Sequence, residues 1–199
     1  MLFLNITLDG LQMGLCFAVL ALGVYISYSI LDFPDLSVDG TFPLGAAVTA
    51  VLLTKGVSPW LTLPIAMGVG ALAGLFTGFI HVRLKVRDLL AGIITMTALF
   101  SLNLQIAGSN LTIERSTDTI FSSRAVLALC GDMTLTGRKI LVSLVLVLAV
   151  KLGMDAYFRT KSGLLLRAVG DNASLVTTLA MDRGRMKILG LAISNALVA

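Results

Sequence analysis

Leu11-Gln-Met-Gly-Leu-Cys-Phe-Ala-Val-Leu-Ala-Leu-Gly-Val-Tyr-Ile-Ser-Tyr-Ser-Ile-Leu31 carries no charged residue. A helix needs about 20 mostly apolar residues to cross the roughly 30 Å hydrocarbon core of a bilayer, and this run meets that length. Residues 60–80 repeat the pattern and end at His81. Residues 89–108 do so with scattered Ser, Thr, Asn and Gln, and residues 140–158 do so apart from Lys151 and Asp155. Two apolar stretches are shorter: 41–54, with Pro43 near its start, and 188–199, where the sequence stops. Across all 199 residues, 57% are apolar and 13% charged, with a mean hydropathy of +0.96. Soluble domains carry roughly 25% charged residues, and no water-soluble fold of this size hides so much apolar surface. The composition excludes a cytosolic enzyme, a disordered chain and a secreted disulfide scaffold. The expected fold class is all-α: a polytopic helical membrane protein with about six membrane segments, one of them a short broken or re-entrant helix. The last run rises only about 18 Å, so the reading is a truncated final helix and an N-terminal fragment of a longer chain.

The net charge of +4 fits cationic loops on the cytoplasmic side of a membrane better than nucleic-acid binding, because no basic stripe interleaves with aromatics. Arg83, Lys85 and Arg87 face one acid, Asp88, in segment 81–88. Segment 159–187 holds Arg159, Lys161, Arg167, Arg183, Arg185 and Lys187 against Asp171 and Asp182. Both read as cytoplasmic, and the charge-balanced segment 109–138 reads as external. The side on which the chain starts depends on whether 41–54 spans, and is left open. Cys16 and Cys130 are far apart and lack metal-ligand spacing. The N-terminus lacks the basic n-region of a cleavable signal peptide.

Four features carry possible mechanism. Asp32-Phe-Pro-Asp-Leu-Ser-Val-Asp-Gly-Thr-Phe-Pro43 interrupts the apolar pattern with three acids and two prolines. Broken backbone at membrane depth is tolerated only where it is buried in protein or lines a wet cavity, and such interruptions point to transport paths; an ordinary surface loop is the equal alternative. Ala66, Gly70, Gly74 and Gly78 recur every fourth residue, a stripe that lets another backbone approach closely; packing inside one subunit is preferred over a subunit interface. Residues 160–185 read as a short helix, 161–170, ended by glycine, then Asp171-Asn172 capping a second helix, 173–180, with Leu175, Val176 and Leu179 on one face and Gly184 before the last apolar run. Partner docking is preferred there over a helix lying on the membrane surface. Lys151 and Asp155, at i and i+4, read as a snorkelling pair near the interface rather than a proton relay. The lone His81 reads as an interface residue. The sequons at Asn5 and Asn110 are discounted. No Walker, HExxH, GxSxG or CxxC motif is present, so no enzyme is expected, and any ATP must be bound by another chain.

These residues resemble the permease subunits of bacterial ABC importers of the branched-chain amino acid/ribose type, and within them the tryptophan/tyrosine amino-acid permeases. The resemblance is carried by Asp32–Ala47, by Gly92-Ile-Ile-Thr-Met-Thr-Ala-Leu-Phe-Ser-Leu-Asn103, and most specifically by Ser162-Gly-Leu-Leu-Leu-Arg-Ala-Val-Gly-Asp-Asn172. It implies one permease domain over 1–199, with 160–185 as a cytoplasmic coupling segment. It further implies a second permease subunit, a separate cytoplasmic ATPase, an external or periplasmic solute-binding protein, no cofactor, and residence in the bacterial inner membrane. Gly163, Arg167, Gly170, Asp171 and Asn172 are then expected at the ATPase dock. Asp35, Ser37, Asp39 and Thr41 are expected on the solute path or shaping it, unless Asp35 and Asp39 merely cap the following helix. The competing class is an ion-coupled secondary transporter or channel using Asp35 and Asp39 or the Lys151–Asp155 pair. A membrane scaffold is the third. The solute is not legible.

Overall fold

A computed structural model describes residues 2–108, 117, 119–123, 126, 135–171 and 182–199. Among these residues the chain forms seven α-helices: α1 (Leu2–Tyr25), α2 (Val38–Thr54), α3 (Pro59–Arg83), α4 (Asp88–Ala107), α5 (Leu135–Phe158), α6 (Lys161–Asp171) and α7 (Arg183–Val198). Helices α1, α3, α4 and α5 are each long and apolar enough to cross a membrane; α2, α6 and α7 are shorter. The second short helix expected at 173–180, with Leu175, Val176 and Leu179, lies outside the described residues, as do Asn110, Cys130 and most of segment 109–134.

The end of α1 widens into one π turn, Ile26–Ile30. Asp32 then takes the left-handed conformation, φ 51°, which short polar side chains tolerate. The chain climbs back through 33–37 to start α2. Leu31, Phe33 and Ser37 are all buried, so the break sits inside protein, as a bilayer requires of irregular backbone. Its polar groups are held locally: Phe33 N–H donates to Ser27 C=O at 2.9 Å and Ser37 N–H to Asp35 Oδ1 at 2.8 Å.

The apolar stretch 41–54 lies within a slightly longer helix. Helix α2 starts at Val38 and contains Pro43. Pro43, the sixth residue, lies past the first turn; it removes the backbone bond to Asp39 C=O, and the helix continues through it. Likewise Gly184 does not separate α7 from what precedes it. It lies in the first turn, where Asp182 Oδ1 accepts from Gly184 N–H at 2.9 Å and Arg185 N–H at 3.3 Å, an N-cap that starts the helix at Arg183.

The small-residue stripe of α3 packs inside this chain. Gly74 lies against the backbone of Leu191, Gly70 against Asn195, and Gly78 against Ile188, so α3 and α7 run antiparallel with backbones nearly touching. Helix α2 runs parallel to α7, since Thr41 meets Asn195 and Gly45 meets Ala199. One core cluster joins Ile26, Ile30 and Leu31 to Phe33, Met154, Phe158, Leu166 and Leu191. It lies where α1 and α5 end, beneath α6. A second cluster, Leu44, Ala73 and Leu99, ties α2, α3 and α4 together.

One end of the molecule collects the basic segments. Phe33 meets His81 edge-on at 5.1 Å between ring centroids, Lys187 Nζ lies 5.8 Å over the Phe33 ring, and Lys187 Nζ approaches His81 Nε2 at 3.4 Å. The α3–α4 turn, α6 and the start of α7 therefore share a face with the α1–α2 break. Helix α1 begins at the opposite end. Away from these contacts the long helices present large apolar side chains outward, such as Leu72 at 64% and Leu152 at 67% exposed, the surface a bilayer would cover.

Candidate functional site

The four residues expected on the path separate into two sets. Asp35, Ser37 and Thr41 converge on Asn195 of α7. Asn195 Nδ2 donates to Asp35 Oδ2 at 2.8 Å, and its Oδ1 accepts from Thr41 Oγ1 at 2.7 Å and Ser37 Oγ at 3.3 Å. Ser37, Thr41 and Asn195 are fully buried. Asn195 Nδ2 also donates to Leu191 C=O at 3.1 Å, so both donors and both lone pairs of the buried amide are used, which is what makes such a group tolerable in a low-dielectric interior. Ser37 and Thr41 are one helical turn apart and share a face, whereas Asp39 is about 200° around from Thr41. Asp39 is exposed and faces the other way.

Asp39 lines a cavity of about 360 Å³ between α2 and α4, together with Pro43, Met96, Thr97, Phe100 and Asn103. Asn103 is 9% exposed. Its Nδ2 donates to Gly40 C=O at 3.0 Å, and its Oδ1 has no partner among the described residues. Gly40 makes the approach possible, because a Cβ there would press on Met96 and Leu99 at 3.0–3.2 Å. Both sites lie well within the helices. Asn195 is eight residues past Lys187, about 12 Å along the helix, and Met96 is eight past Asp88, again about 12 Å.

The proposed docking residues lie on or beside α6. Its buried face is Gly163, Leu166 and Val169, a three-residue spacing that leaves Arg167 and Asp171 exposed. Gly163 sits against the backbone of Tyr157 and Phe158, and Gly170 against the carbonyl of Ile30. The reading of Gly170 as the residue that ends the helix is corrected: α6 continues through Asp171, and the missing Cβ serves close approach to α1. Arg167 stacks over Phe158 at 5.1 Å. Asn172 lies outside the described residues.

Lys151 and Asp155 pair on the exposed surface of α5 at 3.2 Å, the structural arrangement expected of them. His81 Nδ1 lies 3.0 Å from Asp88 Oδ1 and 2.9 Å from Val86 C=O, with Lys187 at its other nitrogen. A lysine donating to Nε2 leaves Nδ1 as the protonated nitrogen. His81 is a clasp between α3, α4 and α7 at the basic end. Among the described residues no group of His, Cys, Asp or Glu could hold a metal ion. Sequence reading missed Asn195 and Asn103. The available signal was an amide inside an apolar helix, which is expensive there unless it is bonded or functional.

Four long apolar helices around a buried backbone break define an integral membrane protein. The chain belongs to the family described as branched-chain amino acid transport system / permease component, whose model matches residues 6–199. It is 39% identical over 186 residues to the tyrosine transport system permease protein of Clostridioides difficile, covering 94% of this chain and 59% of that one. It is 27% identical over 186 residues to the "Probable branched-chain amino acid transport permease protein LivH" of Methanocaldococcus jannaschii, covering 90% and 58%. It is 31% identical over 165 residues to the autoinducer 2 import system permease protein LsrC of an Enterobacter species, covering 83% and 46%. The chain thus spans less than two thirds of the length of each of these relatives. No solved structure matches it. It is an integral membrane protein of the permease type.

Proposed function

We propose that this chain is the membrane-spanning part of a permease subunit of an ABC importer, carrying a small solute, an amino acid by analogy with the tyrosine permease of C. difficile. The observation that carries the reading is α6. It is short, amphipathic and seated by Gly163 and Gly170 on the ends of α5 and α1, so a push on its exposed face reaches the break at 31–37 directly. Residues 1–199 form one permease domain, with 160–185 as its coupling segment. The basic end, which holds α6, faces the cytoplasm of a bacterial inner membrane by the positive-inside rule, and the start of α1 is then external. The partners are a cytoplasmic ATPase docking on the exposed face of α6 at Arg167 and Asp171 and on the adjoining Asn172, with Gly163 and Gly170 seating the helix from behind, an external solute-binding protein and a second permease subunit. ATP-driven closure of the ATPases shifts α6 and alternates access to the path. Asp35, Ser37 and Thr41 shape that path through Asn195, and Asp39 faces it.

The test is expression of the full-length protein with a candidate ATPase subunit from the same organism. Co-purification of the two is expected, and Arg167→Glu or Asp171→Lys should leave the permease folded while ATP hydrolysis no longer drives uptake. Unchanged uptake in both variants would remove the docking role. Solute movement by the permease alone, driven by an ion gradient without ATP, would replace the reading with a secondary carrier.

A further inference from the structure

We propose that the groove between α2 and α4 is a solute subsite that takes a primary ammonium group, with Asp39 and Asn103 as its acceptors and Phe100 and Met96 as its apolar wall. This rests on the permease reading and adds to it a place and a ligand chemistry. Asp39 lies two residues before Thr41, which meets Asn195, and it adjoins Gly40, which faces Met96. Both neighbours put its carboxylate about 10 Å inside the helical layer. Nothing among the described residues covers it, and an intramembrane carboxylate faces water or protein rather than lipid. The groove continues along α4 through Phe100 and Leu104 to Ala107, the last residue of that helix. It therefore runs from inside the layer to the end opposite the basic face.

The wall offers acceptors, with its donors already spent. Asn103 Nδ2 is committed to Gly40 C=O, while Asn103 Oδ1 is buried and unpartnered. The Thr97 hydroxyl donates to the carbonyls of Ile93 and Ile94 at 3.0 and 2.9 Å, leaving its lone pairs. Pro43 has no N–H, so the Asp39 carbonyl lacks its usual helical donor. A ligand completing this set must bring donors and no uncompensated negative charge. A primary ammonium brings three donors and one positive charge, and it is further favoured by the face of Phe100. The volume of about 360 Å³ lies in the range of roughly 300–1,000 Å³ usual for small-molecule sites.

The test uses the full-length permease with its ATPase in proteoliposomes. All native cysteines, Cys16 and Cys130 among them, are replaced by alanine and a single cysteine is placed at Leu104→Cys, or at Leu72→Cys as the outward-facing control. A membrane-impermeant methanethiosulfonate should label Leu104→Cys and not Leu72→Cys. L-Tyrosine, L-tryptophan or L-leucine should slow that labelling, and N-acetyl-L-tyrosine, which has no ammonium, should not. Adding Asp39→Asn should leave the labelling intact and weaken the protection roughly tenfold or more, as loss of a charge-assisted hydrogen bond does. The proposal is overturned by an unlabelled groove, by protection from none of the three amino acids, or by equal protection from N-acetyl-L-tyrosine. Oxidative cross-linking of two copies through Leu104→Cys without labelling also overturns it and makes the groove a subunit interface. ATP hydrolysis read on the same sample separates the two readings. Solute-stimulated hydrolysis with an unprotected groove sinks the subsite alone, and a protected groove in a permease that recruits no ATPase sinks the importer alone.

Discussion

Replacing Asn195 by alanine removes the one side chain that joins α7 to both the break and α2. Three bonds to the break and α2 go with it, the donor to Asp35 at 2.8 Å and the two acceptances from Thr41 and Ser37 at 2.7 and 3.3 Å, along with a local one to Leu191 C=O on α7 itself at 3.1 Å. A hydrogen bond to a charged group contributes about 1.5–3 kcal/mol and a neutral one about 1. In bilayers the measured average is nearer 0.6 kcal/mol, with a maximum of about 1.7, because the alternative state also finds partners. With the bond to Ser37 discounted for its length, Asn195→Ala should cost about 3 kcal/mol. For a domain of this size that is a fall in Tm of about 6–12 °C, read by thermal unfolding of the detergent-solubilised full-length protein. A cycle with Thr41→Val should show coupling of about 1 kcal/mol, since the two variants remove the same bond. Asn195→Asp should be worse than alanine, because it sets a second carboxylate beside Asp35. A Tm change below about 2 °C for Asn195→Ala, or strictly additive effects with Thr41→Val, would refute the network as a tie between α7 and the break.

Three further outcomes follow from the packing. Gly74→Leu should abolish correct folding, seen as loss of a monodisperse peak in size-exclusion chromatography, because its side chain would occupy the backbone of Leu191; Gly68→Leu, where nothing lies within 4 Å of an added Cβ, should be tolerated. Gly170→Val should leave the permease folded but separate ATP hydrolysis from uptake, since it must lift α6 off the Ile30 carbonyl. Lys151→Ala should change stability by less than about 0.5 kcal/mol and leave uptake unaltered, because its pair with Asp155 is exposed on both sides; a loss of uptake would restore the relay reading.

Much of this fold was legible in the sequence because hydropathy and spacing act over short distances. The four long helices, the Lys151–Asp155 pair and the inward packing of Gly70, Gly74 and Gly78 each follow from a local pattern. The amphipathic 161–170 segment was legible for the same reason. What escaped was set by partners far away in the chain. Asn195 reads as one polar residue in an apolar run, and its role appears only once Asp35, 160 residues away, is beside it. Gly170 sits where a helix-ending glycine belongs, yet its use is contact with Ile30. Asp35, Ser37, Asp39 and Thr41 look like one cluster along the chain. The helix starting at Val38 turns Asp39 away from the other three, and that division depends on where α2 begins, which Pro43 obscured.

The most direct test of the central claim places single cysteines at Lys161→Cys and Asp171→Cys in the full-length permease freed of its native cysteines, and asks what they touch in the assembled complex. The account predicts cross-linking of both to the ATPase subunit, altered by ATP, with no reaction towards an impermeant thiol reagent added outside intact cells. Labelling from outside, or an ATPase that never cross-links to this helix, would contradict it.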